Sequence, residues 1–447
     1  MHRPFPVASL HTAIVPVMLS LLLAVAPRDI AAQQLDSLHS LARRGSPVLR
    51  AAQARVDATR ALVAPAGALA DPMLMAGIVN VPLGGSGGSD MMTMKMIGIE
   101  QTIPHPGKRS LRRDVATQAA GDAMANRDWL DRTTMRDVTL AYLDVAEADS
   151  MLRLLRAEHQ LLGALAQATE GGYAAGVTGQ QDPLRAQVEM LRLSGAAAEL
   201  AVMRAHAVAR LNALLDQAPM TPLPLARFPA RLLQSAAPAP GIAIPFTDTT
   251  FGALVGNSPF LPVDTLHHLV ATLNPRLLAA RSNRDAQVAR VRLAERDARP
   301  DATVSLQYGQ RDGRSDMISA LIRIPLAIRQ GTRQRAVELA EREVLDALGA
   351  DELALAAALR VEVHDAAQDA ELHRTRLVLF HHGILPRARA AAAAALAGYR
   401  AGSASFETVL GTYLALFRDE AETVRALADF SRAVTVLEAL VGLEVIS

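Results

Sequence analysis

PMLMAGIVNVPLGGSGGSDMMTMKMIGIEQTI, residues 72–103, is the stretch on which the fold turns. Two apolar-rich runs, Pro72–Val81 and Met91–Ile103, flank Gly84-Gly-Ser-Gly-Gly-Ser-Asp90, a composition that reads as two strands and their hairpin loop. Each run holds about ten residues, the length a tilted strand needs to cross a bilayer. The segment cannot be a spanning helix, because residues 72–89 contain two Pro and five Gly. Directly downstream, residues 110–170 contain no proline. A continuous helix of about 60 residues is about 90 Å long, too long to fold back into an ordinary globular domain.

The same order recurs in the second half. Ala302–Gln310 and Met317–Leu326 read as strands around an Arg311–Ser315 loop, and residues 332–397 form a second helical run interrupted only by Pro386. Pro47 and Pro275 are 228 residues apart, as are Pro72 and Pro300. Tyr173-Ala-Ala-Gly176 and Tyr399-Arg-Ala-Gly402 are 226 apart, and at that spacing Leu184 aligns with Leu410 and Leu211-Asn-Ala-Leu-Leu215 with Leu437-Glu-Ala-Leu-Val441. A unit of half the chain means duplication rather than a solenoid array. Each unit is expected to open with a helix (Asp36–Ala64; Pro275–Arg299) and to end with a returning one (Pro183–Leu215, with Asp182 as N-cap; Phe406–Val441). The expected organisation is a signal peptide over 1–32, a first repeat over 33–216 with its hairpin at 72–104, a linker over 217–262 rich in Pro, and a second repeat over 263–447 with its hairpin at 302–326. The leader rests on His2 and Arg3, the apolar run Thr12–Pro27 and the small-residue site Ile30-Ala31-Ala32.

Composition removes several classes of function. The chain of 447 residues has no Cys, so disulfides, thiolate zinc sites, Cys nucleophiles and a lipidated N-terminal Cys are excluded. A net charge of +1 gives no nucleic-acid footprint. No Gly-Lys-Ser/Thr phosphate loop occurs, and no HExxH or supported triad suggests an enzyme or a cofactor. Aromatics make up only 3%, so the apolar half of the chain is mostly Ala, Leu, Val and Met, suited to closely packed helices. Four strands per chain cannot close a membrane barrel, and an open sheet edge in lipid leaves backbone groups unpaired. Strands from several chains must therefore complete the barrel, with long helix pairs hanging from it as a hollow cylinder.

Asp71-Pro72, Ile99-Glu-Gln-Thr-Ile-Pro104 and Pro106-Gly-Lys-Arg109, with the paired Tyr-x-x-Gly turns, Leu385-Pro386 and Leu437-Glu-Ala-Leu-Val-Gly442, resemble TolC-type outer membrane efflux proteins, most of all the heavy-metal branch that includes CusC and CzcC. The resemblance spans residues 36 to 442. It implies a mainly helical chain with a small β part and a homotrimer with a twelve-stranded barrel in outer membrane lipid. It also implies a periplasmic helical tunnel that docks on a periplasmic adaptor and, through it, on an inner-membrane pump. His105 departs from the family, which commonly has an aromatic there. The implied function is a passive exit duct for metal ions or small toxic molecules. A periplasmic coiled-coil scaffold and a duct for secreted proteins are the alternatives.

The candidate sites follow from this layout. Tyr173, Gly176, Val177, Thr178, Tyr399, Gly402, Ser403 and Ala404 are expected at the helix tips, where glycine permits a tight turn and small residues allow close docking. Glu170, Asp182 and Glu407 flank those turns and read either as ordinary capping and solvated charges or, repeated threefold, as a negative pore mouth. Met73, Met75, Met91, Met92, Met94 and Met96 crowd the first hairpin; Met92, Met94 and Met96 share one strand face. They read either as flexible apolar filler facing lipid or neighbouring strands, or as thioether ligands for a soft ion. His267-His268 and His381-His382 read as structural or solvated histidines, since adjacent residues on a helix point apart.

Overall fold

The computed structural model describes residues 30–81, 92–174, 179–235, 258–326, 328 and 332–446. Nearly all of the leader, the Gly84–Asp90 loop, Met91, and Gly176, Val177 and Thr178 lie outside the described residues. The first repeat runs α1 (Ile30–Gly45), α2 (Pro47–Ala61), α3 (Val63–Ala66), β1 (Met73–Val79), β2 (Met94–Ile103), α4 (Lys108–Ala174) and α5 (Gln181–Leu214). A short α6 (Ala230–Ser235) precedes the second, which runs α7 (Val263–Leu273), α8 (Pro275–Asp297), β3 (Ala302–Gln310), β4 (Met317–Arg323), α9 (Gln334–Val378), a π-helical turn (Leu379–Ile384), α10 (Leu385–Arg400) and α11 (Phe406–Val441).

Three expected elements differ in detail, each for a local reason. The helix expected over Asp36–Ala64 breaks at Ser46, because Pro47 at a first helical position cannot donate into the preceding turn. Its counterpart break at Asn274 separates α7 from α8. There the buried Asn274 side chain accepts from the Arg276 amide at 3.0 Å and donates to Leu440 O at 3.1 Å. Asp182 lies in the first turn of α5 rather than at its cap, a favourable place for a carboxylate near the helix dipole. Pro386 sits in the first turn of α10, and the π turn just before it absorbs the disrupted register. The Arg387 guanidinium donates to Gly383 O at 2.7 Å in that turn.

Two equivalent cores result. One joins α1, α2, α4 and α5 through Leu38, Tyr142, Val145 and Leu211; the other joins α7, α8, α9 and α11 through Leu266, Val363, Phe430 and Leu437. The duplicated Leu211 and Leu437 are both fully buried. The first stretch of the expected linker is not a loose tether. Phe228 packs on both cores, Ala226 N donates to Asp149 at 2.9 Å, and Tyr142 Oη donates to Arg227 O at 2.9 Å.

The four strands form one antiparallel sheet in the order β1-β2-β3-β4. Pairing of β2 with β3 joins the two repeats, with Ile97 opposite Tyr308 and Glu100 opposite Ser305. Strands β1 and β4 are left as edges. Among the described residues no helix is long and apolar enough to cross a membrane.

Candidate pore sheet and helix tips

Register sorts the sheet into two chemically different faces. One face carries Leu74, Ile78, Ile97, Ile99, Leu306, Ile318 and Ile322, all exposed. The other carries Glu100, Ser305, Gln307 and Arg323 with Met73, Met75, Met94, Met96 and Met317. Glu100 and Ser305 are 8% and 2% exposed there while their neighbours Ile99 and Leu306 are 50% and 55% exposed, so the sheet curls around its polar face. Glu100 and Arg323 form an ion pair on that inner side. Tyr308 stands on the apolar face, with its hydroxyl on Asp316 near the loop. Lys95, paired with Asp312 at the loop end, is the charged residue on the apolar face; a sheet with exposed hydrocarbon across the middle of one face and a buried Glu100 on the other has the polarity of a barrel wall in lipid. Met94 and Met96, read from sequence either as filler facing lipid or neighbouring strands or as soft-ion ligands, are on the face of Glu100. Met92 precedes the strand and its carbonyl accepts from the Asn80 side chain at 3.1 Å.

Below the sheet, Pro106-Gly-Lys-Arg109 has a structural task that its motif did not disclose. Gly107 takes a positive φ of 90°, which turns the chain from β2 into α4. Lys108 is 3% exposed and bridges Asp297 at 3.1 Å and Asp301 at 2.9 Å. Arg296 donates to Pro106 O at 3.0 Å, and Arg109 to Gly67 O at 2.8 Å. The motif pins the entry of the first repeat's long helix to the end of α8 in the second. Burial raises the Asp301 carboxyl, but the His105 amide and Lys108 outweigh it and hold the group below the usual carboxylate range.

At the far end of the helices, the second tip is built as its sequence implies. Gly402 has a φ of 73°, and the amides of Ser403 and Ala404 donate to Gly398 O at 2.9 and 3.2 Å. Ser405 caps α11, and Tyr399 lies edge-on to Phe406 at 6.2 Å. On the first tip Tyr173 is half exposed. The acids there are partly compensated: Arg185 reaches Glu407 across the repeats at 3.3 Å, and Gln187 donates to Glu170 at 3.0 Å. The tips also differ in packing. Leu410 is buried, whereas its counterpart Leu184 is exposed, at the head of an apolar stripe with Val188 and Leu191 on α5.

Higher in the helical bundle, Glu158 on α4 is 6% exposed. Burial first, then the charges of Glu189 and Glu420, push its carboxyl up to about 7. Glu189 and Glu420 themselves pair with Arg192 and Arg389. A carboxyl raised above its unfolded value makes the folded state bind more protons, so this contribution is full below the ordinary Glu range and is lost as pH rises towards 7. Glu158→Gln is therefore expected to stabilise the protein by about 1–3 kcal/mol at pH 8, with the gain vanishing near pH 4.5. Thermal unfolding of wild type and variant across that range checks the sign; a gain that persists in acid would refute it.

His381 and His382 lie in the π turn with ring centroids 4.6 Å apart. Burial lowers both, helped by Arg389 at His381 and by His381 at His382. Among the described residues no group of three or more His, Asp or Glu is placed to hold a metal.

The sequence of residues 38–217 matches the model of the family "Outer membrane efflux protein". Among the described residues the second half carries the same order of helices and strands, except that α3 has no counterpart and the long helix is interrupted by the π turn, and both halves share one sheet. The family match covers the first repeat, and the likeness of the whole chain to known proteins is one of fold. Its fold is that of solved outer membrane channels. It is similar to the outer-membrane channel OprN (20% identity, 92% of this chain and 90% of that one, TM-score 0.70) and to VceC from Vibrio cholerae (18%, 92% and 96%, 0.68). It is also similar to CusC, a protein described as forming a transmembrane channel (15%, 95% and 96%, 0.71). The CusC-like branch is thus one of several that share this fold, and the structural likeness does not single it out. No curated protein sequence matches the chain. The sequence motif marked the turn at Gly402; it missed Lys108 as a buried bridge, because its partners lie about 190 residues away.

Proposed function

We propose that this protein is the outer membrane duct of a tripartite efflux system, a passive conduit for small toxic solutes or metal ions. The observation that carries the reading is the two-faced sheet, apolar outside and polar inside, fused to helices far longer than a globular domain holds. Its edges β1 and β4 must pair with other copies, since lipid offers backbone groups no partners. Three copies of four strands give twelve. The exposed α5 stripe of Leu184, Val188 and Leu191 is then covered by a neighbouring chain, closing the helical cylinder. The tips around Gly402 and Tyr173 dock a periplasmic adaptor, which links the duct to an energised pump in the inner membrane.

The duplication supplies the register of the missing contact. Strands β1 and β3 are related by the 228-residue shift of Pro72 and Pro300, and β2 and β4 by the 221-residue shift from Ile103-Pro104 to Ile324-Pro325. Applying both shifts to the Glu100–Ser305 pair places Leu321 opposite Gly77 of the partner subunit. A Cβ at Gly77 meets nothing within 4 Å, so cysteine fits. In a chain without native Cys, Leu321→Cys with Gly77→Cys is expected to give disulfide-linked dimers and trimers on mild oxidation. Leu321→Cys with Met73→Cys, about 13 Å out of register, is expected to stay monomeric on denaturing gels. Equal cross-linking by both pairs, or by neither, would defeat this assembly.

Conduction is tested in planar bilayers. The assembled protein is expected to pass ions with no nucleotide, more cations than anions, because a narrow mouth magnifies the field of each carboxylate. Since Arg185 already offsets Glu407, neutralising Glu170 and Asp182 together is expected to reduce cation preference most. Unchanged selectivity would move the gate away from the tips.

A further inference from the structure

We propose that the inner face of the sheet holds a thioether site for a soft monovalent cation, Cu(I) or Ag(I), centred on Met96. One row of the ladder reads Gly77, Met96, Gly309, Met317 across all four strands, so Met96 has glycine on both sides. The missing side chains leave a shallow dish. Met94 already leans into it: its sulfur lies 2.6 Å from where a Cβ on Gly309 would sit. Met75 is the diagonal neighbour of Met96 across the β1–β2 ladder, and Met317 lies beyond Gly309 on β4, both at separations that long side chains span.

Four thioethers on one sheet face around two glycines are more than a filler requires. A filler stripe belongs on the hydrocarbon face, yet these sulfurs share the side of Glu100, Ser305 and Gln307. Thioether sulfur is neutral and polarisable. It selects soft cations and rejects Mg, Ca and Zn, which prefer oxygen, nitrogen or thiolate. Glu100 and Arg323 on the same face pair with each other, so no net charge repels a cation. Neutral ligands without a carboxylate cage hold an ion loosely, which suits a wall past which ions must move. The site deepens the duct reading, and rests on it for which side of the sheet is wet.

The test uses purified full-length protein in halide-free detergent buffer with silver nitrate as probe. Silver bound after equilibrium dialysis is measured by elemental analysis, and assembly is followed separately by native mass. Because the chain has no Cys, thiol background is absent. Met94→Leu with Met96→Leu, nearly volume-conserving, is expected to weaken silver binding at least about tenfold. Met75→Leu with Met317→Leu should do the same from the outer strands. Met190→Leu with Met203→Leu on α5 should leave it unchanged. X-ray absorption of the bound silver should show a shell of sulfur alone. Wild-type affinity in both hairpin variants, or a shell of nitrogen and oxygen, overturns the site. A monomer that still binds silver through these residues would sustain the site and refute the duct.

Discussion

Arginine in place of Ile99 is expected to abolish accumulation of the folded protein in the outer membrane. Ile99 is half exposed at the middle of the apolar face, flanked across the ladder by Leu74 and Leu306. An arginine near the bilayer midplane of a barrel wall costs about 2–4 kcal/mol, and a three-chain barrel carries it three times. That sum rivals the whole stability of an ordinary domain, about 5–15 kcal/mol. Gln307→Arg supplies the contrast. Gln307 is on the opposite face, where a guanidinium meets polar neighbours, and membrane accumulation should be close to normal. Density-gradient fractionation and heat-modified gel mobility report both variants. If the two behave alike, the faces have been assigned to the wrong sides.

The legible part of this fold was the part written locally or written twice. A proline-free run gave α4, a run interrupted only by Pro386 gave the α9–α10 pair, and the strands lie within the apolar-rich runs that flank the two loops. Gly402 has the positive φ its turn required, and the Leu211–Leu437 repeat occupies equivalent core positions. What could not be read was whatever depends on pairing between distant segments. The face on which Met94 and Met96 stand follows only from the ladder with β1 and β3, because strand alternation says which residues share a side and not what that side meets. Glu407 reads as a free acid until α5 brings Arg185 to it. Pro386 reads as a simple break, yet a π turn carries the helix through it. The two tips look equivalent in sequence, but Leu410 is buried and Leu184 is not, since one chain supplies a neighbour to only one of them.

Lys108→Met is expected to destabilise the junction between barrel and tunnel by about 1–3 kcal/mol, although the unbranched stem is kept. The ammonium is almost fully enclosed and holds two carboxylates, Asp297 and Asp301, which lie at the end of α8 and at the start of β3. Without it two negative groups face each other with one cation fewer, while the His105 amide remains on Asp301 at 2.8 Å. The loss stays below the full penalty for stranding a buried charge because Asp297 is half exposed and water can reach it. Adding Asp301→Asn removes one of the stranded acids, so the double variant should recover part of the loss; the non-additivity measures the bridge itself. The pH dependence has a definite sign. Asp301 is held below the usual carboxylate range, so its contribution is present above the ordinary aspartate pKa and is lost as pH falls through the lowered value. The difference between wild type and Lys108→Met should therefore be flat through neutral pH and shrink in strong acid. Thermal unfolding followed by helical circular dichroism resolves a shift of this size. Because the bridge joins β2–α4 to α8–β3, the variant should also loosen the β2–β3 seam, seen as faster amide exchange at Ile103 and Ala302. Wild-type exchange at that seam with lowered thermal stability would place the role of Lys108 in the helices alone.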